Sequence, residues 1–281
     1  MKSINRRTFL ATGMAFGAAA LTQRTAFAQD AEEFPLGSQS YSFRTFDRDG
    51  AIAELKKLGL NQMEFFSGHI PVTTDEEVLA EVRATLAREG IDSPCFGVES
   101  FGPNADSNRE KFVFAKALGI SILTAHPDPR SFDNLEELTE EFDIAIGIHN
   151  HGPGAPYDGV QDTLDAVEGR NAYIGACVDT GHYIRSGEAP HEVLRALGSR
   201  VISLHLKDWT HGGAEKIVGE GDMDLVEVVR ALRDINFSGP IMLEYEESPD
   251  NPGPDMAVGI ANWRKAVAEA RAAQLPEKGK I

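Results

Sequence analysis

The segment "ACVDTGHY", Ala176 to Tyr183, ends an apolar run on a carboxylate, Asp179, and places an imidazole, His182, three residues further on. The same habit recurs along the chain. "ISLHLKD" carries His205 and Lys207, "IMLEYEE" carries Glu244 and Glu246, and "IGIHNHG" closes on His149, Asn150 and His151. Earlier runs hold Glu64 in "QMEFF" and His126 at the end of "ILTAH". A lone histidine in such a place usually serves a neighbouring backbone carbonyl. Here five of the eight histidines lie at or just after the end of an apolar run, and only His69, His191 and His211 do not. Imidazoles and carboxylates together form a mixed nitrogen and oxygen donor set. Such a set suits one divalent ion, Mn²⁺, Zn²⁺, Co²⁺ or Fe²⁺, and suits Mg²⁺ less well.

Something must aim these groups at one point. Short β-rich runs alternate with amphipathic stretches from Leu36 onward. The expected strands are "LGSQSYSF", "QMEFF", "SPCFGV", "SILTAH", "IAIGIHN", "YIGACVD", "VISLHLK" and "PIMLEY". Helical patterns follow each of them, several closed by a glycine of the kind that caps helix C-termini. Eight strand–helix units in roughly 245 residues predict a single (β/α)8 TIM barrel, an α/β fold spanning residues 29–281. An open doubly wound sheet is the rival, and it usually carries a glycine-rich fingerprint after its first strand. "YSFRTFDRDG" is not one. In the barrel, strand C-terminal ends surround one mouth, where catalytic groups gather. Asp179, His205 and Glu244 end consecutive strands, separated by 26 and 39 residues, room for one helix and its loops each time.

"DTGH", "HLKD" and "LEYEE", in that order at successive strand ends, resemble the xylose-isomerase-like TIM-barrel superfamily of sugar isomerases and epimerases, inosose dehydratases and apurinic endonucleases. The resemblance covers nearly all of the chain after residue 28. It implies a divalent ion held by an acid on strand 5 together with Asp179, His205 and Glu244, with His182 beside the substrate. The chain departs from the pattern at strand 5, where "IHNHG" puts His149 in place of the usual glutamate. His149 is the preferred fourth ligand. His151, two residues on and so on the same strand face, competes with it.

The chemistry so implied is proton removal next to a carbonyl, through an enediolate, with Glu244, His151, His182 and Lys207 as candidate catalytic groups. The expected enzyme is a metal-dependent sugar isomerase or epimerase, which returns the proton; the alternative is loss of a β-hydroxyl by a lyase, dehydratase or hydratase acting on a 3-keto sugar or glycoside. Replacement of the second glutamate counts against a symmetric two-carboxylate epimerase. A non-catalytic sugar-binding barrel is the further alternative. Glu64, His126, Tyr41 and Trp209 are expected to contact the sugar, with Phe43, Phe65 and Phe66 as further candidate walls. "IVGEGDMD", Ile217 to Asp224, reads either as a phosphate-binding turn or, more plainly, as a helix start capped by Asp222 or Asp224.

Charge narrows the partners. The formal net charge is −17, and the first 28 residues hold Lys2, Arg6, Arg7 and Arg24 and no acid, so their removal leaves −21. Such a surface repels nucleic acid and anionic lipid. The loop after "HLKD" also lacks the Asp-x-His pair of the endonucleases. A small sugar is the expected partner, with no nucleic acid and no membrane span, and a homo-oligomer is left open. Two cysteines, Cys95 and Cys177, make no disulfide framework or zinc pattern. Arg6-Arg7, an Ala/Gly-rich apolar stretch and Ala26-Phe27-Ala28 read as a twin-arginine signal peptide over residues 1–28, which predicts a periplasmic protein.

Overall fold

The computed structural model describes residues 33–272, and the expected signal segment lies outside them. The eight barrel strands are β1 (Leu36–Gln39), β2 (Met63–Glu64), β3 (Cys95–Phe101), β4 (Ile122–Pro127), β5 (Ala145–His149), β6 (Ile174–Asp179), β7 (Val201–Leu206) and β8 (Ile241–Leu243). They form one parallel sheet in the order β2-β1-β8-β7-β6-β5-β4-β3. Parallel bridges from Gln62 to Asp92 and from Phe65 to Phe96 join its two ends. The chain is a single (β/α)8 TIM barrel, as its alternation predicts.

The helices are α1 (Arg48–Lys57), α2 (Glu76–Glu89), α3 (Ala105–Leu118), α4 (Phe132–Phe142), α5 (Val160–Val167), α6 (Thr180–Arg185), α7 (Pro190–Leu197), α8 (Leu225–Asp234) and α9 (Gly253–Ala272). Local chemistry sets many of their limits. Asp47, Asp75, Asn104 and Asp224 cap α1, α2, α3 and α8 by accepting backbone N–H bonds. Gly90 and Gly119 end α2 and α3 in the left-handed conformation that costs glycine least.

Cys95, Ile122 and Met242 form a cluster with Ala145 and Ile202. These five residues come from β3, β4, β5, β7 and β8, and strands so spread around a ring meet only across its interior. This apolar plug fills the barrel, as layered side chains do in such folds. The larger core lies between the sheet and the helices, where Phe43 and Phe65 are fully buried. Both are therefore packing residues and not sugar walls.

Two local expectations change. The first strand ends at Gln39 and not Phe43, because the Gln39 side chain accepts the Tyr41 N–H and folds residues 40–43 into a 3-10 turn. The "TGHY" stretch is no bare turn either. Asp179 caps it, accepting the His182 N–H at 2.8 Å, and α6 begins directly at the strand end.

Candidate metal centre

His149, Asp179, His205 and Glu244 come from the ends of β5, β6 and β7 and the residue after β8. All four are buried, and one ligand atom from each lies within 4.8 Å of the others. His149 Nε2 is 3.1 Å from His205 Nδ1 and 3.6 Å from Asp179 Oδ2, and His205 Nδ1 is 3.1 Å from a Glu244 oxygen, Oε2. Buried polar atoms are almost always hydrogen-bonded. Yet Asp179 Oδ2 and Glu244 Oε2 have no hydrogen-bond partner. Two lone-pair-bearing oxygens and two imidazole nitrogens thus converge, and a divalent cation would satisfy all four. The residues fit the ion that their chemistry predicts.

The surroundings prepare them as ligands. Asp179 spends Oδ1 on the α6 cap, which leaves Oδ2 for the cluster. The Asn150 side chain accepts from Asp179 N at 2.8 Å and donates to Asp179 O at 3.0 Å, locking β6 to the end of β5. Burial pushes the His149 imidazole down to about 3, so it is neutral with a lone pair to give. Against the cost of burial, His182, Lys207 and His149 hold Asp179 well below the usual carboxylate range. Lys207 and then His205 do the same for Glu244, at about 2.

Glu64 is fully buried, and its Oε2 lies 3.0 Å from His205 Nε2. It was expected against the sugar, but it stands behind a candidate ligand. A carboxylate bonded to the far nitrogen of an imidazole fixes the tautomer that leaves the near nitrogen free for metal. Against burial, Cys177, Glu64 and Glu244 also raise the affinity of His205 for a proton, the place a cation would take.

A cavity of about 410 Å³ opens over the cluster. Tyr41, His149, His151, His182 and Glu244 line it, joined by Phe66, Gln39, Arg185 and Glu246. Tyr41 and Phe66 meet edge to face with ring centroids 5.3 Å apart and form one wall. The His151 and His182 rings stack at 5.5 Å, and burial lowers both, His151 to about 4. Arg185 Nη1 donates to His182 Nδ1 at 2.9 Å. His182 therefore carries its proton on Nε2, which lies 3.9 Å from Asp179 Oδ2.

Besides Glu64, three residues expected to touch the sugar or take part in catalysis lie outside the cavity wall. Lys207 is fully buried beneath it, paired with Glu246 and 3.8 Å from Glu244 Oε2. Glu244, then Asp179 and Glu246, keep it charged against the cost of burial. Its stem lies on Gly181, where a Cβ would come within 2.8 Å of Lys207 Cγ, which accounts for the glycine of "DTGH". Lys207 thus positions Glu244 and Glu246. His126 stands behind His151, ring centroids 5.0 Å apart. The Trp209 ring lies against the Arg185 guanidinium, 4.8 Å from centroid to Cζ.

The sequence reading missed Arg185, Gln39 and Asp208. Asp208 is the last residue of "HLKD", and its carboxylate accepts N–H bonds from Trp209, Gly219, Gly221 and Met223. The glycine-rich "IVGEGDMD" loop thus spends its amides on Asp208 and not on a phosphate, and Asp224 alone caps α8. The acid that closes "HLKD" so soon before a glycine-rich loop was the available signal.

Comparison with known proteins agrees with this fold. The chain is 28% identical to an inosose dehydratase of Clostridium botulinum over 47% of its own length and 49% of that protein's. It is 32% identical to a 3-oxo-isoapionate decarboxylase of Pectobacterium atrosepticum over 28% of each. The matched region thus spans about half or less of these relatives. Among solved structures, an uncharacterised protein of Parabacteroides distasonis is 26% identical, with a TM-score of 0.64 over 84% of this chain and 98% of its own. A D-psicose 3-epimerase of Clostridium cellulolyticum has the same TM-score and coverage at 17% identity, a likeness of fold. The family model described as xylose isomerase-like TIM barrel matches residues 52–267, and the chain belongs to that family.

Proposed function

We propose that the protein is a divalent-metal-dependent lyase that removes a proton next to the carbonyl of a keto sugar and expels a β-hydroxyl from the resulting enediolate. One observation carries this reading. Strand β5 contributes the imidazole of His149, which leaves Glu244 as the only carboxylate that both belongs to the cluster and lines the cavity. A proton swap between two cluster carboxylates has no second partner here. Elimination needs one base and one acid.

When bound, the ion polarises a carbonyl and its neighbouring hydroxyl. Glu244 turns Oε2 to the cluster, and its other oxygen takes the carbon-bound proton. The electron pair left on carbon moves into the carbon–carbon bond as the β C–O bond breaks. His182 Nε2–H, held in that tautomer by Arg185, donates a hydrogen bond to the departing hydroxyl, which takes the proton that Glu244 removed and leaves as water. Lys207 keeps Glu244 ionised and holds Glu246 in place from below. The dehydratase relatives support this direction. Isomerisation or epimerisation is the second reading. It is favoured by His151, which lines the cavity from the β5 side and offers a second proton acceptor on another wall.

The test is incubation of the chelated and Mn²⁺- or Zn²⁺-reloaded protein with keto sugars in D₂O. We expect metal-dependent deuterium uptake next to the carbonyl and a product lighter by one water. A deuterated product that has lost no water selects the isomerase reading. Absence of exchange with every keto sugar overturns both. We also propose that residues 1–28 direct export to the periplasm. Replacing Arg6 and Arg7 by lysine should retain the precursor in the cytoplasm, and normal export of that variant would refute the twin-arginine route.

A further inference from the structure

Arg185 ends α6 on the cavity wall, half-buried. Among the described residues no carboxylate lies within ion-pair distance of it, on a chain with 44 acids against 27 lysines and arginines. Several other arginines of the barrel are engaged. Arg109 and Arg195, for example, pair with carboxylates, and Arg200 spends its donors on three backbone carbonyls. Arg185 uses one N–H on His182 Nδ1. A guanidinium has five N–H donors, so four remain.

The guanidinium is nevertheless held in place. Trp209 lies against it at 4.8 Å, a cation–π contact. Gly152 lies against it too, where a Cβ would sit 2.6 Å from Cζ, 2.8 Å from Nε and 2.9 Å from Nη1. Near-equal closeness to three atoms of the plane means that the Gly152 backbone covers a face of it, and any side chain at 152 would displace it. His182 occupies one part of the edge. Arg185 lines the cavity, and its remaining donors have no hydrogen-bond partner among the described residues. A single imidazole, that of His182, separates this cation from Asp179 of the metal cluster. A fixed, partnerless fork of N–H donors matches a planar carboxylate that takes two of them.

We propose that Arg185 is the anchor for a carboxylate on the substrate, so that the substrate class is a keto-sugar acid. This rests on the reading of the cavity as a sugar site. The carboxylate lies on the guanidinium while the carbonyl and adjacent hydroxyl reach the cluster on the other side of His182. Trp209 acts through Arg185 and not on the sugar. Carboxylate is favoured over phosphate because, among the described residues, one arginine and no lysine lines the cavity, and Lys207 beneath its floor is already committed to Glu246 and Glu244.

The experiment is calorimetric titration of the metal-loaded, full-length protein with three probes: 5-keto-D-gluconate, D-fructose and D-fructose 6-phosphate. The keto acid should bind about 10- to 100-fold more tightly than fructose, the range expected for hydrogen bonds to a charged group. In Arg185→Gln that preference should vanish while metal content stays as in the wild type. Arg185→Lys should recover part of it. Equal wild-type binding of keto acid and fructose would overturn the proposal without any variant, and so would tightest binding of the phosphate. Keto-acid preference without turnover on any probe would leave the anchor standing and count against the lyase reading, so the two fail separately.

Discussion

Asp179 divides its oxygens between folding and chemistry. Oδ1 caps α6 and Oδ2 faces the cluster without a hydrogen bond. A similar division separates the two β5 histidines. His149 brings Nε2 into the cluster, whereas His151 faces the cavity and stacks on His182. Because a ligating imidazole has no spare lone pair to take a proton, the two residues have different duties. His149→Ala should weaken metal binding by at least the roughly 10–100-fold seen when residues supporting a ligand are lost. His151→Ala should keep the metal and lose turnover. Metal titration and turnover, measured on both variants, check this, and the opposite pattern would reverse the assignments.

A single acid organises the loop between β7 and α8. The Asp208 carboxylate gathers four backbone N–H groups at 2.8–3.2 Å, three of them from residues 219–223. Gly221 is required there, since a Cβ would fall 2.3 Å from Asp208 Oδ1. The loop folds back toward the short antiparallel ribbon of Asp208–Trp209 and Glu215–Lys216. That ribbon carries Trp209 to Arg185 and Glu215 to the Glu246 N–H. Burial pushes the Glu215 carboxyl up to about 8, so it is protonated at neutral pH and adds no charge beneath the cavity. Asp208→Ala leaves those amides without their acceptor and should cost about 1–3 kcal/mol. Chemical denaturation measures the loss, and hydrogen exchange should rise first in residues 217–224. Unchanged exchange there would show that another group holds the loop.

At the scale of the molecule, the cluster joins four consecutive strands, β5 to β8, at one end of the barrel. An ion bound there favours the folded state by mass action, about 2.7 kcal/mol when free metal is 100 times its dissociation constant. For a chain of this size each kcal/mol moves the melting temperature by roughly 2–4 °C. Chelation should therefore lower the melting temperature of the loaded protein by roughly 5–10 °C. The Asp179→Asn/Glu244→Gln double variant should not respond to chelator. A wild type indifferent to chelation would remove the cluster as a metal site. Among the described residues, no helix is long and apolar enough to cross a membrane.

The sequence by itself determined the barrel and brought the candidate ligands to one rim, with His149 and His151 competing for the place on strand 5. Strand periodicity is local: a run that alternates faces every second residue declares which side chains share a face. Parallel strands joined by helices then bring their C-terminal ends to one rim, so chain order alone placed His149, Asp179, His205 and Glu244 there. Tertiary structure decided what lies across the ring or beneath the rim. Glu64 sits on the expected strand yet serves His205, because β2 and β7 face each other across the barrel interior. Phe65 and Phe66 are adjacent in the chain, but one packs in the core and the other walls the cavity. Lys207 shares a face with His205, and only the position of Glu246 and Gly181 draws it under the floor. Arg185 and Trp209 lie in segments with no periodic signature, and their meeting depends on how two rim loops close on each other. Periodicity reports the direction of a side chain, whereas its partner depends on the distance that ring closure sets.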